Sequence, residues 1–161
     1  MSKVLFVNPE KCVGCMLCVL ACSIQHGDTI APMSSRLLPI KLRAVNVNVL
    51  VVCRQCIKPL CADVCPMGAI SREQRTGAMV VDADRCIACG MCMIACPLGG
   101  ISIDAKAGHS VKCDLCGGEP LCAKFCSYGA IEYVTLDEAA LHRRKEAIKK
   151  LSEMLKNIAF G

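Results

Sequence analysis

At 161 residues the chain holds one compact domain or a pair of fused small modules. With no tryptophan, two tyrosines and three phenylalanines, it excludes an ordinary aromatic-filled core. Its sixteen cysteines stand far above normal usage, and a formal charge of +5 would by itself suggest an anionic partner such as nucleic acid.

The first ten residues contain no apolar run long enough for a secretory signal and no twin-arginine pair. The chain is therefore expected in the cytoplasm, where thiols stay reduced and structural disulfides are disfavoured. Metal ligation is then the better explanation of the cysteines. The first cysteine group is Cys12-x2-Cys15-x2-Cys18-x3-Cys22. Residues 23–52 form an insertion whose end, 44–52, is rich in valine and alternates at first, predicting a strand that delivers the chain to Cys53. The second group is Cys53-x2-Cys56-x4-Cys61-x3-Cys65-Pro66. A turn around 75–78 is expected, followed by a short strand over 79–81. The third group is Cys86-x2-Cys89-x2-Cys92-x3-Cys96-Pro97. Residues 86–103 carry no charge over 18 positions, about the length of a membrane span. Four cysteines at ligand spacing, with Pro97, Gly99 and Gly100, exclude a lipid-facing helix there.

Gly108 marks a second turn before a strand at 110–112, and the fourth group follows as Cys113-x2-Cys116-x5-Cys122-x3-Cys126. Thr135 and Glu138 have capping-box spacing. From 136 to 160 no proline or glycine intervenes, and Leu141, Ile148, Leu151, Leu155 and Ile158 recur at helical intervals. Arg143, Arg144, Lys145, Lys149, Lys150 and Lys156 occupy the other faces, so this is a charged amphipathic helix without cysteine.

An internal repeat runs through the cysteine groups. Groups one and three are compact, whereas two and four are expanded and share Pro-Leu-Cys at 59–61 and 120–122. Similar pentads follow three of the groups, at 66–70, 97–101 and 127–131. This order reads as a duplicated two-cluster unit.

A Cys-x2-Cys-x2-Cys loop curls three thiolates about one iron–sulfur cube, while the fourth cysteine reaches a different cube. Structural zinc instead uses two well-separated pairs, whereas each group here packs four cysteines into 11 to 14 residues. A zinc-bound scaffold is the competing reading from another functional class. Cubes would supply the volume that large side chains do not, and folding would be coupled to their insertion. A 3Fe–4S cluster would follow loss of a ligand, but all sixteen positions are cysteine. Four complete ligand sets leave no open iron for substrate, and no Gly-x-Gly-x-x-Gly, P-loop or His-Glu-x-x-His pattern is present. His26, His109 and His142 read as surface or packing residues, the methionines as gap fillers, and Tyr128 and Tyr133 as packing.

The four groups, their order, Cys53-Arg54-Gln55-Cys56 and Lys112-Cys113-Asp114-Leu115-Cys116 resemble the four-cluster iron–sulfur subunits of the dimethyl-sulfoxide-reductase superfamily. Their relatives include ferredoxin-like partners of carbon monoxide dehydrogenases, hydrogenases, formate dehydrogenases and tungsten aldehyde oxidoreductases. The resemblance covers residues 4–134 and lacks only the prolines after Cys22 and Cys126, where serines stand. It implies an α+β fold of two fused ferredoxin-like dicluster modules, with short strands and helices around cysteine loops. The four-cluster polyferredoxin domain would span 1–134, its central pair from 53–101 and its outer pair from 4–30 and 108–134. A helical extension would occupy 135–161.

Spacing alone leaves open whether groups pair one with two or one with four. The resemblance implies the nested scheme. One cluster would then take Cys12, Cys15, Cys18 and Cys126, and its partner Cys22, Cys113, Cys116 and Cys122. The central pair would take Cys53, Cys56, Cys61 and Cys96, and Cys65, Cys86, Cys89 and Cys92. Each oxidised site with four thiolates carries about −2, so four shift the bare +5 to about −3 and remove the argument for nucleic acid.

The expected function is electron relay through four 4Fe–4S clusters between a catalytic oxidoreductase subunit, of tungsten aldehyde oxidoreductase type, and a second redox partner. This chain would perform no catalysis and would not insert in a membrane. The terminal helix is expected to dock a partner, to support self-association, or to pack on its own body.

Overall fold

The computed structural model describes residues 3–27, 31–45 and 47–160. Met1, Ser2, the 28–30 end of the first outer segment, Asn46 within the expected strand, and Gly161 lie outside the described residues. The chain begins with β1 (Lys3–Val7) and, after the first cysteine loop, α1 (Leu17–His26). A hairpin follows, β2 (Leu38–Leu42) and β3 (Val47–Val51), antiparallel with Leu38 opposite Val51. The strand expected over 44–52 is thus shorter. Arg43–Val45 curls into a 3₁₀ turn that reverses the chain, so only the alternating valines extend.

Next come α2 (Leu60–Asp63), β4 (Ile70–Arg72), β5 (Met79–Val81), α3 (Met91–Ala95), β6 (Ile101–Asp104) and β7 (His109–Lys112). The chain closes with α4 (Leu121–Lys124), β8 (Ile131–Thr135) and α5 (Leu136–Phe160). This is a mixed helix-and-strand fold whose described strands form four two-stranded antiparallel ladders. β4 pairs with β5 and β6 with β7 through turns in which Gly77 and Gly108 take positive φ. The remaining ladder is long-range: Lys3 of β1 faces Thr135 of β8, and Val7 faces Ile131. The chain ends are thereby tied around the middle, with α1 packed on α4 and α2 on α3.

The pentads after the cysteine groups act as one device used three times. Gly68, Gly99 and Gly129 each sit at positive φ and turn the chain into β4, β6 and β8, whose first residues Ile70, Ile101 and Ile131 are buried. The core is made of medium side chains and cysteines. One buried cluster joins Leu5, Val19, Leu37, Leu50, Val52 and Leu115 to Cys22, Cys113 and Cys122; a smaller one joins Ile70, Met79 and Ile101 to Cys92.

Helix α5 starts in a reciprocal capping box. The Thr135 N–H donates to Glu138 Oε2 at 2.8 Å, and the Glu138 N–H donates to Thr135 Oγ1 at 3.3 Å. Its first half lies on β1 and β8, where His142 meets the Phe6 ring edge-on and lies 3.4 Å from Glu132. Further along, Ile148, Leu151, Met154, Leu155 and Ile158 are exposed. Among the described residues no helix is long and apolar enough to cross a membrane.

Candidate metal centres

All sixteen cysteines are free thiols, so none is spent on a disulfide. In the first Cys-x2-Cys loop of each group the residue before the second cysteine has positive φ: Gly14 at 73°, Gln55 at 52°, Ala88 at 52° and Leu115 at 60°. That left-handed residue curls the loop so that successive thiols face inward. Only the first is a glycine, and non-glycine residues hold such angles only where the surroundings fix them. Leu115 is fully buried, and Gln55 is held by two buried hydrogen bonds, from the Met79 N–H at 2.8 Å and to the Cys113 carbonyl at 2.9 Å.

The structure brings twelve of the thiols together in three sets of four. Cys12, Cys15, Cys18 and Cys126 line a cavity of about 230 Å³ with Leu17, Ile40, Phe125 and Tyr128. Cys53, Cys56, Cys61 and Cys96 line a second with Met79, Gly100 and Lys112, and Cys65, Cys86, Cys89 and Cys92 a third with Ile70 and Ser110. Around Cys122 lie Cys113, Cys22, Cys116 and Cys18, and a thiolate at any of these would oppose its ionisation.

The last cysteine of each sequence group accepts a backbone N–H: Cys22 from Arg36 at 3.3 Å, Cys65 from Ala69 at 3.3 Å, Cys96 from Gly100 at 3.4 Å and Cys126 from Ala130 at 3.2 Å. In three cases the donor is the fourth residue of the pentad, so the turn that starts the strand also supports the ligand. Cys86 and Cys92 gain further partners in Ser110, whose N–H donates to Cys86 at 3.4 Å and whose hydroxyl lies 3.3 Å from Cys92.

Five of the thiols resist ionisation by themselves. Burial pushes Cys18 up to about 11 and Cys113 up to about 12, and raises Cys122, Cys116 and Cys61 as well. Cys86 is shifted the other way: burial opposes its ionisation, but the N–H groups of Ser110 and Ala88 outweigh that and lower it. A cationic metal centre reverses the penalty at the buried thiols, because thiolate ligation displaces their protons. Free sulfur donors in fours, around cavities with N–H groups aimed at sulfur, fit an anionic iron–sulfur cube.

One neighbour of these sites escapes sequence reasoning. His26, expected on the surface or in packing, has Nε2 3.5 Å from Cys116 Sγ and 3.4 Å from Asp114, which also binds Arg36 at 2.7 Å. Burial and then Arg36 lower the His26 pKa, against the pull of Asp114. Almost ninety residues separate His26 from Cys116, so no local pattern carries the contact. His142 packs as expected, and His109 caps its own turn through the Ala107 carbonyl.

A fold of short ladders carrying cysteine quartets defines a ferredoxin-like iron–sulfur protein. Residues 47–136 match the 4Fe–4S dicluster domain family and residues 5–23 the 4Fe–4S binding domain family. The polyferredoxin-like subunit of the aliphatic sulfonate oxidoreductase of Pyrococcus furiosus is 39% identical over 142 residues, covering 86% of this chain and 82% of that one. The electron transport protein HydN of Escherichia coli K12 is 32% identical over 175 aligned positions, covering 92% and 99%. The beta subunit of the NADH-dependent phenylglyoxylate dehydrogenase of Aromatoleum evansii is 37% identical over 130 residues, which are 80% of this chain and 29% of that longer one. The chain belongs to the 4Fe–4S dicluster family of ferredoxin-like electron-transfer proteins.

Proposed function

We propose that this chain relays single electrons between a catalytic oxidoreductase subunit and a second redox partner, using four 4Fe–4S clusters in the nested arrangement. Cys12, Cys15, Cys18 and Cys126 would hold the first, and Cys22, Cys113, Cys116 and Cys122 the second. Cys53, Cys56, Cys61 and Cys96 would hold the third, and Cys65, Cys86, Cys89 and Cys92 the fourth. The convergence of twelve free thiols in three sets of four carries this reading.

A bound cluster supplies a one-electron couple whose potential depends on hydrogen bonds, charge and exposure. The chain's own residues do the rest. The left-handed loop residues aim the thiols, the N–H groups of Arg36, Ala69, Gly100 and Ala130 offset thiolate charge, and the surrounding apolar side chains exclude water. The ladder between β1 and β8 supports two fused dicluster modules, an outer one from both chain ends and a central one, with 135–161 as an extension.

A catalytic partner is supported by relatives that are subunits of oxidoreductases. The tungsten aldehyde oxidoreductase type is the partner class we assign, with a cytoplasmic location. The stripe of Leu141, Ile148, Leu151, Leu155 and Ile158 on α5 repeats at coiled-coil spacing and suits docking or self-association.

Iron and acid-labile sulfide assayed on anaerobically purified protein should each reach about sixteen per chain, with visible absorption bleached by dithionite. Zinc without sulfide would end the proposal.

A further inference from the structure

Lys112 is 3% exposed, yet among the described residues it makes no ion pair with a carboxylate. It lies at the inward-facing end of β7, and its Nζ donates to the carbonyls of Met79 and, at 3.3 Å, Cys113. The side chain lines the cavity ringed by Cys53, Cys56, Cys61 and Cys96. A buried ammonium with only carbonyls for partners is costly unless an anion shares its surroundings. The anion at hand is the thiolate quartet. By contrast, the cavity ringed by Cys65, Cys86, Cys89 and Cys92 has no charged side chain in its lining.

We propose that Lys112 is a positioning residue that sets the reduction potential of the site held by Cys53, Cys56, Cys61 and Cys96, its fixed buried charge favouring the reduced form. The inference rests on that quartet holding a 4Fe–4S cluster. Reduction adds one electron, taken from the titrant or from the partner subunit, and one unit of negative charge; no bond forms and no proton moves. A positive charge fixed in a low-dielectric interior stabilises the more negative state. N–H donors differ too, Gly100 serving Cys96 here whereas Ala69 and Ser110 serve Cys65 and Cys86 in the other cavity, so the contribution of Lys112 is read within its own site by replacing it alone. Arg54 lines the same cavity but is only half-buried, so solvent screens it more.

The test is a potentiometric titration of anaerobic protein followed by electron paramagnetic resonance, with iron and sulfide counted in each sample. In K112M and K112Q one couple should fall: at its original midpoint the ratio of reduced to oxidised form drops about tenfold, or about 59 mV for a one-electron couple. K112R should return it. Unchanged midpoints in K112M and K112Q, with full cluster content, overturn the proposal. Loss of one cluster from both neutral variants also overturns it, because Lys112 would then serve assembly and not potential. A cluster count below four in the unsubstituted protein strikes instead at the reading on which the inference rests.

Discussion

Two glycines mark close approaches at the cysteine loops, one against backbone and one against a side chain. A Cβ on Gly100 would lie 2.8 Å from Cys53 Cα and 2.9 Å from Cys53 N, backbone that cannot move aside without displacing a ligand. Gly100 also supports Cys96 through its N–H. G100A is therefore expected to lose the quartet of Cys53 and Cys96, and iron analysis should find about four fewer atoms per chain; full loading would refute the close approach as a constraint. At Gly14 a Cβ would meet the Asn48 side chain at 2.8 Å, on a backbone with φ of 73°. Asn48 can yield, so G14A should cost about 1–3 kcal/mol, read as a lower denaturant midpoint, without loss of iron. The sequence makes the ligands and their loops legible because the four cysteines of each group lie within 14 residues at most. It leaves Gly100 opposite Cys53, Gln55 beneath Cys113 and His26 beside Cys116 unread, because those contacts arise only when distant loops meet.

Among the elements, α5 was readable to its capping box, since cap, length and periodicity are all local signals. The strand before Cys53 was overextended because valine-rich sequence does not announce the 3₁₀ turn at Arg43–Val45. The cap gives a pH dependence of known sign. Hydrogen bonds from the Thr135 N–H and hydroxyl, outweighing burial and helped by Lys3 and His142, hold Glu138 below its ordinary value. A carboxylate depressed in the folded state contributes stability above its unfolded value, and that contribution is lost as pH falls through the folded one. Amide exchange in the first turn of α5 should therefore accelerate on acidification relative to the rest of the helix, and E138Q should abolish that pH response. T135A should weaken the same turn by about 1 kcal/mol at neutral pH. Equal acid response in E138Q would show that the cap is not its source.

At the scale of the molecule, the question is what holds the chain together without its metal. Among the described residues two clusters of buried side chains form, and both include cysteines: Cys22, Cys113 and Cys122 in the larger, Cys92 in the smaller. Strands of three to five residues in separate two-stranded ladders are not independently stable in water. The ladder of β1 with β8 also closes a loop of more than a hundred residues, a chain-entropy cost that its own hydrogen bonds do not offset. Stripped of metal, the thiols would surround cavities lined mainly by apolar side chains, with nothing to fill them. Removing iron with a chelator under reducing conditions should therefore unfold the body of the protein, as for other small metal domains. Far-ultraviolet dichroism and visible absorption should decay together, and amide protection in β1 and β8 should vanish. Most surviving helix should belong to α5, whose capping box and i,i+4 pair of Lys149 with Glu153 owe nothing to the thiols. Protected β1 and β8 amides in fully demetallated chain would mean that side-chain packing alone specifies the fold, and that the thiol quartets are filled after folding instead of driving it.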